Sequence, residues 1–93
     1  MDLKLNGKLS LVSGSTAGIG FAIAQKLAEE GAHVIINGRL QVAVNEAVGK
    51  LKTETGGTLL GFAGDLSQAV VADALAQKYP AVEIVINNLV IWN

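Results

Sequence analysis

Apolar positions along the chain switch between two spacings, short continuous runs and stripes three or four residues apart, and the alternation predicts seven elements. Residues 8–13 (KLSLVS) read as a strand; after a glycine-rich turn, Ile19, Ile23 and Leu27 recur at helical spacing over residues 18–30. Gly31 is a natural stop for that helix. Residues 32–37 (AHVIIN) form a second strand whose adjacent apolar side chains predict burial on both faces. Val44, Ala47, Val48 and Leu51 mark one stripe of a second helix, running from about Leu40 to the Gly56-Gly57 pair. A third strand follows at residues 58–63 (TLLGFA). The third helix is expected to start at Ser67 as N-cap, to face Val71, Ala74 and Leu75 inward, and to end before Pro80. Residues 83–87 (EIVIN) begin a fourth strand.

Strands alternating with helices of this length require a parallel sheet with right-handed crossovers and helices on its faces, an α/β class. Composition narrows the chemistry. The 93 residues make one domain. A formal net charge of -1 leaves no basic stripe, which argues against nucleic acid as a partner. There is no cysteine, and the single His33 cannot assemble a metal site alone, so no metal ligands are expected. The hydrophobic fraction of 51% reflects buried strands rather than a membrane span, because the longest apolar stretch, residues 84–92, is interrupted by Asn87 and Asn88 and is too short to cross a bilayer. The first residues carry no run of signal-peptide character, and a cytoplasmic address is expected.

The informative stretch is Ser13-Gly14-Ser15-Thr16-Ala17-Gly18-Ile19-Gly20, placed where the first strand hands over to the first helix. Gly14 permits a tight turn, Gly18 lets backbone approach a diphosphate, and Gly20 lets the helix pack close to the strand. The free N–H groups at the helix start then face the anion. The glycine spacing differs from the G-x-G-x-x-G pattern and resembles the T-G-x-x-x-G-x-G turn of the short-chain dehydrogenase/reductase family, with Ser13 in place of the family's Thr. Two further marks follow in register. Asp65-Leu66 after the third strand is similar to the family's Asp-Val/Leu element, whose carboxylate contacts the adenine amino group while the next residue borders the ring. Asn87-Asn88 is similar to the start of the family's N-N-A-G, whose first Asn braces the sheet near the cofactor. The resemblance implies a Rossmann fold cut short, three layers αβα around about four parallel strands in the order 3-2-1-4, and a dinucleotide held by Gly14, Ser15, Thr16, Gly18, Ile19, Gly20, Asp65, Leu66 and Asn87.

A preference for the unphosphorylated ribose places Asp or Glu at the end of the second strand. Here that end reads Asn37-Gly38-Arg39, and with no carboxylate and an Arg nearby the local charge favours NADP, with NAD possible. The family's catalytic Asn, Ser and Tyr-x-x-x-Lys have no counterpart. Tyr79 is followed four residues on by Glu83, not Lys, so no catalytic residue is assigned. Three functions remain open. One is an oxidoreductase's NADP(H)-binding module, another a non-enzymatic oligomeric nucleotide-binding or structural module, and the third an enzyme of other chemistry with its site between subunits. The resemblance also implies a fifth strand beside the fourth that this sequence lacks. Self-association is therefore expected, as a homodimer or larger, through the strand at residues 83–87 and the tail at residues 89–93.

Overall fold

The computed structural model describes residues 6–87. Seven elements follow one another as β1 (Leu9–Val12), α1 (Gly18–Glu29), β2 (His33–Gly38), α2 (Gln41–Thr55), β3 (Leu59–Ala63), α3 (Ala69–Lys78) and β4 (Ile84–Ile86). All strand pairings are parallel, and the order across the sheet is β3-β2-β1-β4. The fold class and strand order are those expected from the sequence. Element types hold throughout, and boundaries move by one or two residues.

The sheet carries a core on each face. On one, Val12, Val34 and Ile36 pack against Ala24 and Ala28 of α1 and Ala47 and Leu51 of α2. On the other, Leu11 and Ile35 pack against Leu75 of α3. Five of the six residues of β2 are buried, as its unbroken apolar run requires when both faces are covered. The buried hydroxyl of Ser10 donates to the carbonyl of His33 at 3.1 Å, so polar positions inside the sheet are satisfied. No helix of the described residues is long and apolar enough to cross a membrane.

Two expectations are corrected, both in α3, and α1 packs by residues other than those that mark its spacing. Of Ile19, Ile23 and Leu27, the first is 72% exposed and the other two are only half-buried, and the buried residues are Gly20, Ala24 and Ala28. Small side chains at i, i+4 and i+8 let the helix axis come close to the sheet, and the larger apolar residues flank that seam. The N-cap of α3 is Gln68, not Ser67. Ser67 is drawn instead to Asp65, whose Oδ1 accepts both its N–H at 3.0 Å and its hydroxyl at 2.7 Å, a local turn that competes with capping. Ala74 is exposed, since α3 touches the sheet through Leu75 with Val71 and Tyr79 at its margins. Asn88 and the tail at residues 89–93 lie outside the described residues.

Candidate functional site

β2 lies on one side of β1 and β4 on the other, so the chain winds outward from β1 through β2 and β3 and then crosses back to place β4 on the opposite edge of β1. That reversal opens a crevice, the place where open α/β sheets take ligands. A cleft of about 350 Å³ is found at the carboxyl ends of β1, β2 and β3, lined by Gly14, Thr16, Asn37, Gly38, Arg39, Leu40, Ala43, Gly64, Asp65 and Leu66. The three loops predicted from sequence to meet a dinucleotide therefore meet one another.

Gly18 opens α1 with φ +63, a left-handed conformation that disfavours side chains, and a Cβ placed on it would meet nothing within 4 Å. The space in front of the turn is clear. α1 has no side-chain N-cap, and its first turn holds no acidic residue. Its leading N–H groups are thus left for an anion or water. A diphosphate fits this turn on both counts.

The cleft's second wall is less open than its sequence implies. Asn37 is 4% exposed. Its Oδ1 accepts the N–H of Gly14 at 3.2 Å, and its Nδ2 donates to the carbonyls of Phe62 at 3.0 Å and Gly64 at 3.2 Å. The carboxamide is committed to the protein's own backbone. Gly38 stands on the cleft side, where a Cβ would come 2.5 Å from the Thr16 methyl, so the close seating of Thr16 over β2 depends on a glycine there. Arg39, exposed, follows at the rim.

The remaining predicted residues separate into two groups. Ser15 is fully buried; its hydroxyl donates to the carbonyl of Val12 at 2.7 Å and accepts the N–H of Asn37 at 2.9 Å, so it braces the turn from within. Gly20 is buried in the α1 seam. Ile19 projects into solvent and is not part of the cleft wall. Asp65 and Leu66 line the cleft opposite Leu40 and Arg39. The Ser67 hydroxyl and N–H, with a smaller pull from the Arg39 charge, hold the Asp65 carboxyl below its usual range, so it stays ionised near neutrality. Asn87 sits at the end of β4, where its Oδ1 accepts the Ser13 hydroxyl at 3.3 Å, joining the carboxyl ends of β1 and β4 across the crevice.

Sequence reading did not single out Gly38, Leu40, Ala43 and Gly64 as part of the site. For the first, a signal was present: counting by twos along β2 puts Val34, Ile36 and Gly38 on the face of α1, and Ile35 and Asn37 on the other. Leu40 and Gly64 come from loops whose path no periodicity encodes, and Ala43 lies in the first turn of α2, off the stripe of Val44, Ala47 and Leu51 that packs on the sheet.

The model of the short chain dehydrogenase family matches residues 8–91. The chain belongs to the short-chain dehydrogenase family, whose Rossmann fold it shares. It is 50% identical over 93 residues to the uncharacterized oxidoreductase YvaG of Bacillus subtilis, covering 99% of this chain and 35% of that one. The L-sorbose reductase of Gluconobacter frateurii, solved in complex with NADPH and L-sorbose, superposes with a TM-score of 0.92 at 32% identity, over 100% of this chain and 37% of that chain. A 3-oxoacyl (acyl-carrier-protein) reductase of Agrobacterium tumefaciens with NADP bound gives a TM-score of 0.82 at 37% identity, over 96% of this chain and 35% of that chain. The chain spans about a third of the length of these relatives.

Proposed function

We propose that this chain is the NADP(H)-binding Rossmann module of a short-chain dehydrogenase/reductase-like oxidoreductase, and that hydride chemistry requires the family's catalytic Ser and Tyr-x-x-x-Lys, which have no counterpart in these 93 residues. The observation that carries the reading is the cleft itself, with Gly14 and Thr16 of the glycine turn on one side, Arg39 at the rim of the second loop and Asp65-Leu66 on the third. In this reading the backbone from Gly14 to Gly20 holds the diphosphate. Thr16 and Arg39 face the ribose 2′ position, Asp65 and Leu66 take the adenine, and Asn87 keeps β4 in place. A bound nicotinamide dinucleotide supplies the hydride-carrying chemistry; the chain's own residues bind and orient it.

Preference for NADP(H) over NAD(H) is supported by the absence of a carboxylate at the end of β2 and by the exposed guanidinium of Arg39. The relatives solved with NADPH and NADP share that fold. Calorimetric titration with NADPH and NADH tests this: both bind, NADPH the more tightly. If neither binds, the chain is not a dinucleotide module.

The partner we propose besides the dinucleotide is a second copy of the chain, docked through β4. Val85 is 65% exposed, and together with Leu11, Leu75 and Val82 it lines an apolar groove between the strand and α3. No charged side chain interrupts β4, so nothing discourages edge pairing there.

A further inference from the structure

Three loops wall the cleft, the turn from β1 to α1, the link from β2 to α2 and the link from β3 to α3, and one side chain, at the carboxyl end of β2 just before the second, is bonded to the first and to the third. The Asn37 carboxamide oxygen takes the N–H of Gly14 in the first loop, while its two N–H groups go to Phe62 at the end of β3 and to Gly64 just beyond it. Its backbone closes a second pair of bonds with Ser15, donating to Oγ at 2.9 Å and accepting the Ser15 N–H at 2.8 Å. Gly64 in turn donates its N–H to the carbonyl of Gly38 at 2.8 Å, which ties the third loop back to the last residue of β2, where the second begins. The pattern needs one acceptor and two donors on a planar group of fixed length. Asn meets that need; a carboxylate lacks the donors, and an apolar isostere lacks all three contacts.

We propose that Asn37 is the positioning residue of the dinucleotide site: through its inward-facing carboxamide it sets the spacing of the three loops before ligand arrives. The proposal rests on the reading of the cleft as a dinucleotide site. Asn37 acts through Gly14 and Gly64, not by meeting the ligand with its own polar atoms. A site held in advance loses less freedom on binding, so loosening the staple weakens affinity even where the fold survives.

The conservative variant Asn37→Asp separates positioning from mere stability. When ionised, the introduced carboxylate sets a negative oxygen against the carbonyls of Phe62 and Gly64, and burial raises its pKa. When protonated, it regains one donor and carries no charge. The charged groups on the loops around it are Arg39 and Asp65, and the glycine turn holds none. The 93-residue chain and its Asn37→Asp variant are titrated with NADP from about pH 5.5 to 8.5, with a thermal melt at each pH to follow folding. The ratio of variant to wild-type Kd is expected to rise about tenfold or more from the acid to the alkaline end, because the pH dependence of the ligand cancels in the ratio. A ratio that does not vary with pH overturns the proposal. Should the variant fail to fold at every pH, nitrogen-15 NMR on the unaltered chain decides. The Asn37 side-chain protons are expected to resist exchange and to shift less on adding NADP than the Gly14 and Thr16 backbone amides. Carboxamide protons that exchange freely, or that shift the most, overturn it. Failure of the unaltered chain to bind NADP in the same titration is a separate result: it removes the dinucleotide reading and the proposal with it.

Discussion

At the scale of single residues, the site divides into groups that face the cleft and groups that brace it from behind. Arg39 is of the first kind. Replacing it with Ala removes one partner of a charge-assisted pair with the 2′-phosphate, and NADPH is expected to weaken by about 1 to 3 kcal/mol while NADH is nearly unchanged. Equal losses for the two in parallel titrations would show that Arg39 does not read the phosphate. Gly18 makes a sharper case. Its left-handed φ of +63 costs a β-branched residue about 1 to 2 kcal/mol, but its Cβ would meet no neighbour, so Gly18→Val should fold with modest destabilisation. The same side chain stands where a diphosphate must come against backbone, and dinucleotide binding is expected to disappear. Circular dichroism beside calorimetry checks both halves, and a folded variant with undiminished affinity would put the diphosphate elsewhere. The glycine turn was legible from sequence because three glycines at fixed offsets between a strand and a helix have few other uses. The inward turn of Asn37 and Ser15 was not. Both are small polar residues beside a site, and whether such a side chain faces ligand or backbone depends on which carbonyls a neighbouring strand brings within reach.

At the scale of elements, α1 shows how a helix meets a parallel sheet closely. Ala24 is fully buried and Ala28 nearly so, both against β1 and β2. Ala24→Leu inserts three carbons into a seam with no room and is expected to cost about 1 to 3 kcal/mol, read as a lowered midpoint in urea unfolding. Ile19→Ala, on the exposed side of the same helix, should leave stability within about 0.5 kcal/mol of the unaltered chain. The reverse ranking would put the buried stripe at Ile19, Ile23 and Leu27. Hydrophobicity alone ranks isoleucine above alanine for burial, and so does not find this face. Distance to the sheet, which is not a property of the helix sequence, reverses the ranking.

At the scale of the whole molecule, the two sheet faces are unequally covered. Among the described residues, α1 and α2 together cover one, whereas α3 alone packs on the other, and Val85 and Leu11 line open grooves beside it. Light scattering of the 93-residue chain at micromolar concentration is expected to show a dimer or larger species, and Val85→Lys to shift it toward monomer by placing a charge on the edge strand. A monodisperse, folded monomer of the unaltered chain would remove β4 as a contact between copies. Sequence by itself determined the succession of strands and helices, the parallel sheet and the glycine turn between β1 and α1, because short apolar runs, a period of 3.6 and the backbone freedom of glycine are local properties that survive in any context. Only the tertiary structure decided which polar side chains face the cleft, which stripe of α1 is buried and where α3 is capped. Those outcomes turn on partners 20 or more residues away, such as the carbonyls of Phe62 and Gly64 for Asn37, or on competition between near-equal local bonds, as at Asp65 and Ser67.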